Sequence, residues 1–288
     1  MFAVATPLDW TGGPALAWVL TAALLYWVGG RKLATPRSDT SRPWRTVAFI
    51  AGLATILIAL DSPVDGLADK LLWVHMLQHI LLLLVAPPLL ALARPWNRMW
   101  HGLPLGTRRE LARWLTSGRW SAPIRAVARL LADPLPSWIL FNGVFIGWHL
   151  PVAYDATLTS PLVHASEHLM FFATGLLFWT RVIDSPPWRS RLSEMGRAVY
   201  VGSSMVVGWL LAIVLAETNH AIYSPYADLA TRPGGITALA DQQFAAGAMW
   251  VLGSIPFTIA ILSVVYRWLE PKRSGQSPSS SRPLAENP

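Results

Sequence analysis

Cysteine is absent from all 288 residues, which excludes disulfides, thiolate metal sites and a cysteine nucleophile. Charge is scarce as well, at 14% of positions against 53% hydrophobic residues. A soluble domain of this size carries more charge, so that class is set aside. Acidic side chains are the rarer kind, 16 against 23 Lys and Arg. The resulting net charge of +7 reads as the by-product of basic loops on a membrane protein, and no nucleic-acid partner is expected. Met1 to Trp10 lacks a basic stretch, so the first apolar segment is not expected to be a cleaved signal peptide.

What is present is a series of apolar windows, at residues 14–29, 46–60, 71–93, 135–152, 161–180, 198–217 and 243–266. Their lengths suit helices crossing a hydrocarbon slab of about 30 Å. Each could be a buried helix of a large soluble protein, but almost no amphipathic helices are left to cover seven of them. The expected fold is therefore all-α, a polytopic membrane protein of seven transmembrane helices over residues 1–269. Every Lys and Arg except Lys70 and Arg232 falls in 30–45, 94–133, 181–197 or the segment after 266. The positive-inside rule then puts the N-terminus outside and the C-terminus in the cytoplasm. Residues 94–133 are expected to form short helices on the membrane surface, with Leu111, Trp114 and Leu115 on one face and Arg108, Arg109 and Arg113 meeting lipid phosphates. The Ser/Pro-rich tail, 270–288, is expected to be disordered and cytoplasmic.

Polar residues are costly in a bilayer, so those that remain carry information. With this topology, six of the seven histidines gather at the non-cytoplasmic helix ends, and His101 alone is cytoplasmic. His75 and His79 lie in the first turns of span three, His149 at the outer end of span four, and His164, Glu167 and His168 in the first turns of span five. Glu217 and His220 end span six, and Asp241, Gln242 and Gln243 precede span seven. Residues four apart on a helix lie one above the other, so His75 with His79, and His164 with His168, can each chelate one ion. Gln78 and Glu167 share those faces, as further ligands or as partners of the imidazoles. His79 and His168 are expected roughly 10–12 Å below the outer helix ends. Met76 and Met170 are possible soft ligands for Cu(I), although methionine in an apolar helix is more often packing. A single histidine near a helix end is usually interfacial, and that reading stands for His101 and His220. Pro87 and Pro88 are expected to break or bend span three, and Trp residues near span ends to be interfacial anchors.

These stretches resemble a known family. His75-Met-Leu-Gln-His79 followed by Val85-Ala-Pro-Pro-Leu-Leu90, Trp148-His-Leu-Pro151 with Tyr154-Asp155, and Pro161-Leu-Val-His-Ala-Ser-Glu-His168 are similar to the multi-span CtaG family of cytochrome c oxidase assembly factors. Asp61-Ser-Pro63, Asp241-Gln-Gln243 and the closing Tyr266-Arg-Trp-Leu269 fit it too, so the likeness runs from about residue 60 to 269. It implies a multi-pass protein of the bacterial inner membrane that helps build an aa-type terminal oxidase by bringing copper to it. Its expected partners are oxidase subunits or their copper donors, together with membrane lipids. The chain does not resemble the single-span, cysteine-bearing copper chaperone that shares the CtaG name.

The expected metal residues are His75, His79, His149, His164 and His168, supported by Met76, Gln78, Asp155, Glu167, Met170, Asp241 and Gln242. Imidazole with thioether, and no thiol to oxidise, suits copper. Three rivals stay open: a zinc peptidase built on His164-x-x-Glu167-His168 with Glu217 as third ligand, a haem protein with axial histidines, and a membrane scaffold for oxidase assembly without metal. The reading taken forward is not an enzyme.

Overall fold

The computed structural model describes residue 10, residues 13–33 and residues 43–270. The expected disordered tail, apart from Glu270, and the first nine residues lie outside that set. Among the described residues the fold is all-helical, with no strand beyond an isolated bridge between Ser185 and Trp188.

Proline sets many of the boundaries. α1 (Pro14–Lys32), α2 (Pro43–Leu60), α3 (Pro63–Ala68), α9 (Pro134–Trp148), α10 (Pro151–Thr159) and α11 (Pro161–Val182) each begin on one. The missing N–H costs nothing there and the fixed φ suits a first turn. The others are α4 (Leu72–Ile80), α5 (Ala86–Ala93), α6 (Trp96–Gly102), α7 (Leu105–Ser117), α8 (Ala122–Leu130), α12 (Glu194–Glu217), α13 (Ser224–Ala227) and α14 (Ala238–Leu269). Short helices α6, α7 and α8 fill residues 94–133, as the amphipathic pattern there requires.

Span three does not break at Pro87 and Pro88. A π-helical turn, Leu81–Val85, joins α4 to α5 in one 22-residue rod, Leu72–Ala93. Pro87 cannot donate to the carbonyl of Leu83, and its ring crowds the preceding turn. The wider turn makes room, and the freed Leu83 carbonyl accepts instead from Trp179 Nε1 of α11 at 3.2 Å. One turn earlier on α11, Gly175 allows this approach, because a Cβ there would lie 2.6 Å from the Leu83 oxygen.

Among the described residues four helices are long and apolar enough to cross a membrane: α2, the α4–α5 rod, α12 and α14. A fifth span results if α8 and α9, bent by 92°, count as one. The remaining windows read from the sequence correspond to α1, α9 and α11. α9 has 15 residues, about 22 Å of helix, because Pro151 stops it early. α11 has 22 residues but opens on His164, Glu167 and His168.

The α4–α5 rod is the centre of the molecule: 67% of its apolar stretch is buried, against 22% for α14. α14 packs on one side of it, with α12 against α14, α2 on another side, and α11 along the π-helical turn. The outer faces carry Leu24, Ile50, Ile139, Leu210, Val251 and Ile259, all exposed, the surface that a hydrocarbon slab accepts. Arg197 pairs with Asp184 at 2.9 Å and Arg267 with Glu194 at 3.4 Å, fastening the basic ends of α12 and α14. The histidines other than His101, which lies in α6, are at the opposite end.

Candidate metal centre

Two helix starts meet here, those of α4 and α11. α4 has no side-chain cap of its own. Asp241, in the first turn of α14, supplies it: Oδ2 accepts from the Leu72 amide at 2.9 Å and Oδ1 from the Trp73 amide at 3.1 Å. A carboxylate at a helix N-terminus satisfies orphan donors and complements the helix dipole. Gln242 fastens the same corner, its Oε1 accepting from Ile222 N and its Nε2 donating to Leu215 O and Thr218 Oγ1. Both residues position the centre without joining it.

With α4 fixed, His75 and His79 point toward α11, which contributes Glu167 and His168. One ligand atom from each of these four buried side chains lies within 4.8 Å of the others. Glu167, fully buried, sits between two imidazoles: Oε2 is 3.7 Å from His75 Nε2 and Oε1 is 3.6 Å from His79 Nε2. Those separations exceed hydrogen-bond length. Among the described residues neither Glu167 oxygen, neither ring nitrogen of His79, nor Nε2 of His75 and His168 has a hydrogen-bond partner. Leaving so many buried polar atoms unmatched is costly, and a carboxylate most of all.

The tautomer of His75 is set from outside the cluster. Its Nδ1 lies 3.0 Å from the Tyr226 hydroxyl, which itself donates to the Ala68 carbonyl. Burial holds the Tyr226 phenol well above its ordinary value, so it keeps its single proton and gives it to Ala68. The His75 Nδ1–H must then be the donor to Tyr226, leaving the lone pair on Nε2, the atom beside Glu167. An imidazole so anchored is a better-aimed and more basic ligand. Nothing in the helical spacing pointed to Tyr226, which arrives on α13; its only sequence signal is the tyrosine pair Tyr223 and Tyr226 in an otherwise small and polar connection.

The expected residues sort as follows. His164, half-buried, packs against His168 and His75, with ring centroids 4.2 and 5.0 Å apart, at the outer edge of the four. His149 lies 6.0 Å from the His79 ring, with its Nε2 3.3 Å from Met76 Sδ, outside the four-residue cluster. Gln78 and Glu167, alike in spacing, differ in role: Gln78 Nε2 turns away and donates to Ala59 O and Asp65 Oδ1, both at 2.7 Å. Burial raises the Asp65 carboxyl, with the Gln78 amide working against it. Asp155 accepts from Ser224 Oγ at 2.7 Å and holds the α13 connection. Met170 is 41% exposed on the outer face of α11 and is not brought to the centre. Glu217 and His220 are exposed.

The family model for the cytochrome c oxidase caa3 assembly factor (Caa3_CtaG) matches residues 24–271. An uncharacterised protein of Mycobacterium bovis and one of Mycobacterium tuberculosis are each 25% identical over 233 residues, covering 80% of this chain and 34% of their own length. An uncharacterised protein of Mycobacterium leprae is 24% identical over 228 residues, covering 78% of this chain and 34% of itself. The chain thus spans about a third of the length of these curated relatives. No solved structure matches it significantly.

Proposed function

Because the chain belongs to the family of cytochrome c oxidase caa3 assembly factors, we propose that its buried cluster of His75, His79, Glu167 and His168 binds copper and delivers it during oxidase assembly. The single observation behind this reading is the set of buried, partnerless nitrogen and oxygen atoms facing one another across α4 and α11. Bonds of about 2.0–2.1 Å to a tetrahedral ion would separate its ligands by roughly 3.3 Å. The 3.6 and 3.7 Å contacts of Glu167 need only small side-chain shifts to match. One cation would take up one of these atoms from each of the four side chains at once.

The ion is cargo. Three imidazoles and a carboxylate hold copper or zinc, and a role in oxidase assembly favours copper. His164, at the outer edge, is the first ring an arriving ion meets. The basic loops support a reading in which this end faces the periplasm from a seven-span protein of the bacterial inner membrane, with copper donors and oxidase subunits as its partners. Glu167 fills the space between imidazoles that a porphyrin would need, which favours a bare ion over haem. Its position between His75 and His79 also differs from that of a peptidase base, which must stay free to activate water. A metal-free scaffold has no use for a buried carboxylate without a hydrogen bond.

Metal analysis of protein purified anaerobically and equilibrated with copper tests this. Wild type should retain copper through gel filtration, and His79→Ala or His168→Ala should weaken it by an order of magnitude or more at unchanged levels of membrane-inserted protein. The same variants should fail to restore oxidase activity and haem a in a deletion strain. Full copper retention by both variants would refute the assignment, and retention of zinc alone would change the cargo.

A further inference from the structure

Two donors beside the cluster are left over by it. His149 is the C-cap of α9, and its Nδ1 faces the Phe145 carbonyl at 2.7 Å. A carbonyl only accepts, so Nδ1 carries the proton and Nε2 of the neutral ring carries the lone pair. That lone pair lies against Met76 Sδ at 3.3 Å. Thioether sulfur has no proton to give, so the contact is not a hydrogen bond; two electron-pair donors face each other inside the protein. Both residues are buried, His149 with 5% and Met76 with 1% of its surface exposed. Met76 in an apolar helix would ordinarily be packing, but packing does not explain why a buried imidazole lone pair is aimed at sulfur.

We propose that Met76 and His149 form a second, softer metal site that takes Cu(I). With bonds of about 2.0 Å to nitrogen and about 2.3 Å to sulfur, donors 3.3 Å apart subtend about 100° at a shared ion, a normal angle between adjacent ligands. The pair borders a cavity of about 40 Å³ between α4, α9, α12 and α14, where one water needs roughly 10–15 Å³. Met205 and Met249 line the same cavity, and no carboxylate does. An uncharged, thioether-rich lining suits a soft monovalent cation and disfavours zinc or Cu(II). His79 lines this cavity too while its Nε2 faces Glu167, so one side chain borders both donor sets.

The proposal rests on the copper reading above and deepens it, and X-ray absorption separates the two. There is no cysteine, so any sulfur bound to copper must come from one of the 7 methionines. Whole protein loaded anaerobically with Cu(I) should show a sulfur scatterer at about 2.3 Å beside nitrogen, and should hold a second equivalent. Met76→Leu, which conserves volume and so preserves packing, should lose the sulfur signal and that equivalent but keep the nitrogen-bound ion. Glu167→Gln combined with His168→Ala should do the reverse. Copper bound with no sulfur scatterer, or a sulfur signal that survives Met76→Leu, would overturn this proposal and leave the four-residue site standing. No bound copper at all would overturn both.

Discussion

Tyr226 shows how much a single side chain outside the cluster decides. Its hydroxyl fixes the proton on His75 Nδ1, and the ligand quality of Nε2 follows. Tyr226→Phe removes one oxygen and leaves the ring packed against Tyr154. Copper affinity measured by competition with a chelator should fall 10–100-fold, the usual effect of losing an imidazole's hydrogen-bond partner, while the amount of folded protein stays near wild type. An unchanged affinity would mean that His75 is not a ligand through Nε2. Most of the cluster was legible in the sequence, because four-residue spacing on one helix face needs no tertiary knowledge. Tyr226 was not, since it lies 151 positions from His75 on a separate short helix. The divergence of Gln78 from Glu167 was equally hidden: identical spacing says nothing of Ala59 and Asp65, which capture the amide.

At the scale of elements, the register between α4 and α11 brings Glu167 and His168 opposite His75 and His79. That register is held where Gly175 and Trp179 dock on the π-helical turn. Gly175→Ala should therefore damage the site from a distance of two helical turns. The added Cβ meets the Leu83 oxygen at 2.6 Å and must push the helices apart. Gly143, on α9, has nothing within 4 Å of its would-be Cβ and serves as the control. Alanine is intrinsically better than glycine inside a helix by about 0.5–1 kcal/mol, so any loss comes from packing. Thermal unfolding in detergent should show Gly175→Ala melting several degrees lower and binding copper more weakly, with Gly143→Ala unchanged or slightly higher. Equal behaviour of the two would show that the close approach does not set the site. The proline pair foretold a disturbance in span three, and the sequence window ran through it correctly. Its form, a π-helical turn repaired by an indole from another helix, depended on a partner that no local pattern names.

For the whole molecule, the distribution of charge bears on which compartment the histidine cluster faces. The histidine cluster and the basic residues Arg94, Arg181, Arg197 and Arg267 occupy opposite ends of the helices. Lys and Arg beside apolar spans resist translocation, so the basic end is expected to stay in the cytoplasm, with the cluster toward the periplasm. Fusion of alkaline phosphatase, which is active only when exported, reads this directly. Fusions after Asp155, in α10, and after Arg232, between α13 and α14, should be active. Fusions after Arg113, in α7, and after Arg189, between α11 and α12, should be inactive. The same four sites test the span count, because α9 and α11 fall between Arg113 and Asp155 and between Asp155 and Arg189, and each must cross the membrane for the pattern to alternate. An inactive Asp155 fusion would remove α9 as a span, consistent with its 15 residues, and would leave His149 without its place at the outer surface. Activity at Arg113 and Arg189 would turn the cluster toward the cytoplasm, where it could not receive copper from the periplasm.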